Sequence, residues 1–151
     1  MKLKEDKQLQ ENFWLNEFLS NSDPVNIEPQ DAINVDRFSF KLQMLRDIVD
    51  SININSGWRS VIWNSNPRVR GSQNSYHLQG IAADIKFDFS IWNRKSLEKV
   101  FKFIGFTNVN FYWDSSRTKW VWIHVDVGPT WNGLEFNYRD IDAITKREIE
   151  V

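Results

Sequence analysis

Cysteine is absent from this 151-residue chain, and histidine occurs only twice. Without cysteine the protein can form neither disulfides nor thiolate metal sites, and it has no thiol nucleophile. A zinc site in this chain must therefore draw its ligands from histidine, aspartate and glutamate side chains.

An excess of one charge is also missing, because 19 basic residues face 20 acidic ones and the formal net charge is -1. A nearly neutral chain has no long-range field that would draw it onto a polyanion. We therefore expect no nucleic-acid partner. A metal-dependent nuclease would need a basic stripe for phosphate backbones, which this composition does not suggest.

Long apolar runs are missing as well, since no stretch approaches the roughly 20 apolar residues that cross a bilayer. Residues 1–7 are mostly charged and lack the apolar segment and cleavage site of a secretory signal peptide. We expect synthesis in the cytoplasm and no stable membrane insertion. The length and the hydrophobic fraction of 41% predict a single domain over residues 1–151, which we expect to be a monomer.

The residue pattern predicts an α+β fold. Apolar residues at helical spacing predict helices over residues 12–20 and 37–49, and Ser22-Asp23-Pro24 and Glu28-Pro29 predict a loop between them. Strands are predicted over residues 52–55, 81–87, 108–113 and 120–127, and a helix that ends at Gly105 over 90–104. We expect a small antiparallel sheet packed against the N-terminal helices and one covering helix.

The two histidines stand in segments that can meet on this scaffold. Gly80 can adopt the positive φ of a tight turn, which would bring His77 and Asp84 to one side of the sheet. His124, on a neighbouring strand, would be the third ligand of a zinc ion whose fourth position stays open for water. Taken singly, each of these residues is more typical of a hydrogen-bonded structural role than of a metal ligand.

Aromatic residues are abundant, with eight tryptophans, eleven phenylalanines and three tyrosines. Most of them are expected in the core. An alternative interpretation places a few of them along a groove near His124, where they would hold an extended substrate by apolar contact. The candidates for that groove are Trp113, Trp120, Trp122 and Trp131.

Three segments carry a resemblance to a known family: Ser-Gly-Trp-Arg-Ser at 56–60, Gly-Ser followed by Ser-x-His-x-x-Gly-x-Ala-x-Asp within 71–84, and Trp-Ile-His-Val-Asp at 122–126. They resemble the zinc D-alanyl-D-alanine carboxypeptidases and related murein endopeptidases. That superfamily shares its fold with the hedgehog signalling domain and includes many bacteriophage endolysins. The resemblance extends over roughly residues 13–131.

The resemblance implies zinc as the cofactor and three ligands for it: His77, Asp84 and His124. It implies that Arg59 holds a substrate carboxylate or the developing oxyanion, a task suited to a fixed charge with forked donors. A salt bridge that fixes the loop is the alternative role of this arginine. Ser75 would hydrogen-bond the substrate or a neighbouring ligand, and Trp122 would contact the substrate.

The general base is harder to assign. Many relatives have an acid three residues before the last zinc histidine, where this chain has Val121. Asp114, after a predicted strand, and Asp126, two residues past His124, are the two candidates for a catalytic carboxylate. Asp114 could instead only start a turn, and Asp126 could only orient a ligand histidine.

The implied function is a zinc peptidase that cuts the stem peptides of peptidoglycan at a bond involving a D-amino acid. Both carboxypeptidase and endopeptidase action remain open. The expected biological setting is a phage-type lysin, released from the cytoplasm to act on the cell wall, or a cell-wall remodelling enzyme. Two other hypotheses remain: a zinc-containing module that binds peptidoglycan or a protein without hydrolysis, and an assembly protein that uses its aromatic surface.

Overall fold

The computed structural model describes residues 6–19 and 27–150. The helices of this part of the chain are α1 (Leu15–Phe18), α2 (Pro29–Val49), α3 (Val61–Asn64), a 3-10 helix (Tyr76–Gln79) and α4 (Arg94–Ile104). The strands are β1 (Gln8–Gln10), β2 (Phe13–Trp14), β3 (Asn53–Ser56), β4 (Ala82–Lys86), β5 (Asn108–Trp113), β6 (Trp120–Asp126) and β7 (Asn137–Asp142). The α+β class is therefore confirmed. No helix among the described residues has the length and apolarity that crossing a membrane would demand.

The main sheet has five strands in the order β3-β4-β6-β5-β7, and β1 and β2 form a separate pair. The prediction of an antiparallel sheet was wrong in one respect, because β7 pairs with β5 in parallel. A hairpin would have made the pair antiparallel. Instead, β6 lies between the two strands in sequence and pairs with β5, so the chain returns to the sheet beyond β5 in the same direction as β5.

The two faces of the sheet have opposite characters, because alternate side chains of a strand point to opposite sides. One face is apolar and joins the core with α2 and α4; it carries Ala83, Ile85, Val109, Phe111, Trp113, Ile123 and Val125. The other face is polar and lines a groove; it carries Asp84, Asn110, Tyr112, Trp122, His124, Asp126 and Arg139. A sheet covered on one side only thus leaves its chemically active side chains on the open side.

The N-terminal prediction was partly wrong. The helix expected over residues 12–20 is a single turn, α1, preceded by the short strand β2; residue 20 lies outside the described residues. Phe13, Leu15 and Phe18 are buried, and Trp14 is exposed. The spacing of the three buried residues fits a strand followed by one helical turn. Apolar spacing alone does not separate these two arrangements over so short a segment.

The long helix α2 begins earlier than predicted. Pro29, which was expected to lie in a loop, is its first residue, a position where the missing N–H of proline costs nothing. The other part of the predicted loop, Ser22-Asp23-Pro24, lies outside the described residues. Helix α4 ends as predicted, with Gly105 in the left-handed conformation at φ 98°.

Gly80 has the positive φ expected of it, at 74°, and ends the 3-10 helix just before β4. A Cβ atom added there would lie 2.7 Å from Cγ2 of Val35 and 2.8 Å from the carbonyl oxygen of Asp31. The turn therefore needs glycine both for its backbone conformation and for its contact with α2.

A comparison of two glycine variants tests this double requirement. We expect Gly133→Ala to cost only about 1 kcal/mol of unfolding free energy. Gly133 also has a positive φ, of 71°, but no atom lies within 4 Å of the added methyl group. Gly80→Ala should cost about 3 kcal/mol, since the clash with α2 adds to the backbone strain. Urea unfolding measures both values, and equal losses would show that the contact with α2 carries no weight.

Candidate metal centre

A row of groove-facing side chains crosses the sheet at the level of the predicted ligands. Ser56 of β3 pairs with Asp84 of β4, which pairs with His124 of β6. His124 pairs in turn with Asn110 of β5, and Asn110 pairs with Arg139 of β7. Strand pairing therefore brings two of the predicted ligands side by side on the open face.

The third predicted ligand, His77, comes from the 3-10 helix. Oγ of Ser75 caps this helix by accepting a hydrogen bond from the backbone N–H of His77 at 3.2 Å. The ring of His77 is buried, and its Nδ1 lies 2.6 Å from the carbonyl oxygen of Gly57. A carbonyl can only accept, so Nδ1 donates, and Nε2 is left to face Oδ1 of Asp84 at 3.5 Å.

His124 lies between two carboxylates. Its Nδ1 is 3.0 Å from Oδ1 of Asp84, and its Nε2 is 2.8 Å from Oδ2 of Asp126. Asp126 is fully buried, and its Oδ1 accepts hydrogen bonds from the side chain of Asn108 at 2.7 Å and from the N–H of Gly128 at 3.1 Å. Asp126 is thus fixed on the far side of the ring, where it orients His124.

The three ligand atoms fit a divalent metal ion. His77, Asp84 and His124 each offer one ligand atom, and these atoms lie within 4.8 Å of one another. Two imidazole nitrogens and one carboxylate oxygen are a donor set that suits zinc, and three protein ligands leave a fourth position for water or substrate. Each imidazole uses its other nitrogen on a fixed oxygen acceptor, which is the usual support of a metal-binding histidine.

The three residues of the cluster differ in how their pKa values are shifted. Burial lowers the pKa of His77 although Asp84 is close to it. Burial opposes ionisation of Asp84 too, but His77 and His124 hold the pKa of that carboxyl well below its usual value. For His124, burial is outweighed by the hydrogen bonds with Asp126 and Asp84, which raise its pKa to about 9.

Arg59 contacts the cluster from the β3 side. Its Nη2 lies 3.1 Å from Oδ2 of Asp84, and its Nε donates to Oγ of Ser56 at 3.0 Å. Its backbone N–H donates to the carbonyl oxygen of His77 at 3.0 Å, which ties the loop to the 3-10 helix. The salt bridge considered as the alternative role of Arg59 is present, and the side chain also lines the groove. Its role toward substrate stays a prediction.

The groove over the cluster has a volume of about 830 Å³. Two stacked aromatic pairs stand in its walls: Tyr112 on Trp122, with ring centroids 4.3 Å apart, and Tyr76 on Trp131, 4.4 Å apart. Ser75 lines it as well, and its hydroxyl already caps the 3-10 helix. The predicted groove residue Trp122 is therefore present at the site, and its contact with substrate stays a prediction.

Two of the four tryptophans proposed for the groove lie elsewhere. Trp113 and Trp120 are buried in the core. The pairing of β5 with β6 is irregular at this point: Tyr112 pairs with Trp122 and Trp113 with Trp120, so Val121 is skipped. This bulge turns Trp120 to the core face although simple alternation would place it on the same face as Trp122.

The two predicted catalytic carboxylates lie in different places. Asp114 is in the exposed turn after β5, where its carboxylate accepts hydrogen bonds from Ser116 and Thr118. It is not among the residues that line the groove, whereas Asp126 is. The structure thus brings Asp126 to the cluster and leaves Asp114 outside the groove, and the catalytic role of each stays a prediction.

Several groove residues were missed by the sequence interpretation, namely Tyr76, Asn110, Tyr112, Arg139 and Lys146. The alternation of β5 could have identified two of them, because Asn110 and Tyr112 share the period-two face that faces His124. Arg139 and Lys146 depend on β7, which the sequence interpretation did not predict.

A comparison with protein families agrees with a metal site at this cluster. A family model described as peptidase M15 matches residues 12–126. The chain belongs to the peptidase M15 family. M15 peptidases are generally zinc-dependent, and membership indicates a zinc peptidase that acts on peptidoglycan. No curated protein matches the chain.

The protonation of His124 predicts how zinc binding depends on pH. With a pKa of about 9, His124 is protonated at neutral pH and must lose a proton to offer Nδ1 to a metal ion. Because Asp84 is ionised and His77 is neutral at that pH, zinc binding should release about one proton. The apparent affinity should rise with pH and level off near pH 9. Calorimetric titration in two buffers of different ionisation enthalpy measures the release.

Two carboxylate variants serve as test and control. Asp126→Asn should reduce the proton release at neutral pH, because it lowers the pKa of His124. It should also lower zinc affinity about 10- to 100-fold above pH 9, where proton competition is absent, because it removes the acceptor that orients the ring of His124. Asp140→Asn removes a carboxylate from the other face of the sheet, where Asp140 pairs with Arg94, and should leave both quantities unchanged. Equal behaviour of the two variants would contradict the role given to Asp126.

Proposed function

We propose that this M15 protein is a zinc-dependent peptidase that cleaves peptidoglycan stem peptides at a bond involving a D-amino acid. The observation that carries the proposal is the convergence of Nε2 of His77, Oδ1 of Asp84 and Nδ1 of His124 at the floor of an open groove. A structural zinc site would be closed by four protein ligands, while three ligands beside a groove suit catalysis.

Bound zinc would lower the pKa of a water molecule and polarise the scissile carbonyl. The residues of the chain prepare the site for this. Asp126 holds the ring of His124 so that Nδ1 faces the ligand cluster, and the Gly57 carbonyl does the same for His77. The guanidinium of Arg59 lies beside Asp84, and its fixed charge would neutralise negative charge on a substrate carboxylate or oxyanion.

The shape and lining of the groove suit an extended peptide. Its aromatic pairs offer flat apolar surfaces on both sides of the cluster, and its polar residues offer hydrogen-bond partners to peptide groups. We propose a phage-type lysin as the biological setting, made in the cytoplasm and acting on the wall after release. The support for this setting is the resemblance of the sequence motifs to those of such lysins.

A zinc-containing binding module is the second candidate function, and one observation favours it. Among the described residues that line the groove, the only carboxylates are Asp84 and Asp126. Asp84 is committed to the ligand cluster and Arg59, and both oxygens of Asp126 already accept hydrogen bonds. A site without a carboxylate that can accept a proton from water would bind a stem peptide without cutting it.

Digestion of purified peptidoglycan decides between the two. We expect the zinc-loaded protein to release fragments whose masses correspond to cleavage of a stem-peptide bond that involves a D-amino acid. His77→Ala should abolish this release because it removes a ligand. Asp126→Asn should reduce the rate at least about tenfold through its effect on His124, and Asp114→Asn should leave the rate unchanged.

Co-sedimentation of the protein with the same peptidoglycan is measured in parallel. Zinc-dependent sedimentation without any released fragment would reject hydrolysis and support the binding module. A loss of activity in Asp114→Asn alone would instead transfer the catalytic role to the turn after β5.

A further inference from the structure

Two cations stand in the groove wall formed by β7 and the turn that follows it, Arg139 and Lys146. Both lie beyond residue 126, where the match to the M15 family model ends. Within residues 6–19 and 27–150, no carboxylate lies within ion-pair distance of either side chain. In contrast, Arg59, another cation that lines the groove, is paired with Asp84.

The position of Arg139 is fixed by the sheet. It lies in the same cross-strand row as His124, two strands away, with Asn110 between them. Its Nε donates a hydrogen bond to Oδ1 of Asn110 at 3.2 Å, which holds the side chain over the row. A guanidinium has five N–H donors, so this bond leaves most of its capacity for a forked contact with a carboxylate.

The position of Lys146 is fixed by a turn. The carboxylate of Asp142 accepts hydrogen bonds from the N–H groups of Ile144 and Thr145, and Lys146 itself adopts a positive φ of 59°. This turn carries the ammonium group over the stacked pair, 4.2 Å from the ring centroid of Trp122 and 5.1 Å from that of Tyr112. The ammonium group of this exposed lysine is thereby held against the aromatic wall of the groove.

The spacing indicates what these cations can bind. Two interstrand distances of about 4.8 Å place the backbone of Arg139 roughly 10 Å from that of His124, which equals about three residues of extended peptide. If a peptide carbonyl lies at the ligand cluster, an acidic group two or three residues away along the same peptide is therefore within reach of Arg139 and Lys146. In a stem peptide cut between its two terminal D-alanines, the γ-linked glutamate stands at that separation, and its α-carboxylate is free.

We propose that Arg139 and Lys146 form a second subsite, which binds the free α-carboxylate of the γ-linked glutamate in the stem peptide and selects against its carboxamide form. The subsite rests on the proposed function for the identity of the peptide. It makes the C-terminal strand and its turn a determinant of specificity in addition to completing the sheet.

Binding of a product-length peptide tests the subsite without requiring catalysis. The probes are L-Ala-γ-D-Glu-L-Lys-D-Ala and the same tetrapeptide with the glutamate α-carboxylate converted to a carboxamide. Titration of the zinc-loaded protein, followed by tryptophan fluorescence, should give about 10- to 100-fold tighter binding of the carboxylate form. Arg139→Gln and Lys146→Met should each move this ratio toward one, and Arg139→Lys should retain part of it. Lys99→Met, an exposed lysine outside the groove, should leave the ratio unchanged.

Hydrolysis of the two corresponding pentapeptides, extended by a second D-Ala, separates the subsite from the proposed function. A binding ratio that behaves as expected with neither pentapeptide cleaved would support the subsite and reject the D-Ala-D-Ala peptidase. A ratio of one in the wild-type protein would overturn the subsite, even if both pentapeptides are cleaved. A ratio that persists in both Arg139→Gln and Lys146→Met would overturn it as well.

Discussion

The placement of His124 between two carboxylates is the interaction on which the site depends. Asp84 contacts one ring nitrogen and Asp126 contacts the other. Asp126 is fully buried and held by Asn108 and Gly128, so it cannot move to the metal side without breaking those bonds. The ring is therefore oriented before any metal ion binds, and Nδ1 is the nitrogen that faces His77 and Asp84. Preorganisation of this kind lowers the cost of assembling the ligand set.

Charged side chains lie on both sides of His124 along the cross-strand row that crosses the sheet. The Arg59 guanidinium on the β3 side balances Asp84. Arg139 on the β7 side donates a hydrogen bond to the neutral Asn110, and among the described residues no carboxylate lies within ion-pair distance of it. A protein with a net charge of -1 thus places several cationic side chains in its groove. Because a concave site focuses the field of its charges, these cations would attract an anionic peptide more strongly than the net charge of the protein suggests.

The sequence contained enough information to find the ligand cluster but not its surroundings. His77 and Asp84 could be paired because Gly80 marks a turn whose conformation only glycine adopts easily, and strand periodicity placed His124 nearby. Strand β7 was missed because Asp140 stands on its core-facing side, where Arg94 and the indole N–H of Trp113 satisfy it. Its alternation therefore does not have the usual apolar pattern.

The sequence alone also could not predict roles that depend on distances between side-chain atoms. An aspartate two residues from a histidine on a strand shares its face, but only the structure shows that a carboxylate oxygen of Asp126 lies 2.8 Å from Nε2 of His124. A period-two pattern also cannot reveal the β-bulge that moves Trp120 into the core. The bulge at Val121 changes the face of Trp120 alone, and the residues of β6 from Trp122 onward keep their regular alternation.

Anomalous diffraction at the zinc edge, from crystals of the zinc-loaded protein, tests the geometry of the metal centre. We expect one peak at bonding distance from Nε2 of His77, Oδ1 of Asp84 and Nδ1 of His124, with Nε2 of His124 still donating to Asp126. A peak at Nε2 of His124, with Asp126 in place of Asp84 as the ligand, would contradict the orienting role of Asp126 and the geometry built on it. The absence of any zinc peak at the cluster would contradict the metal site itself.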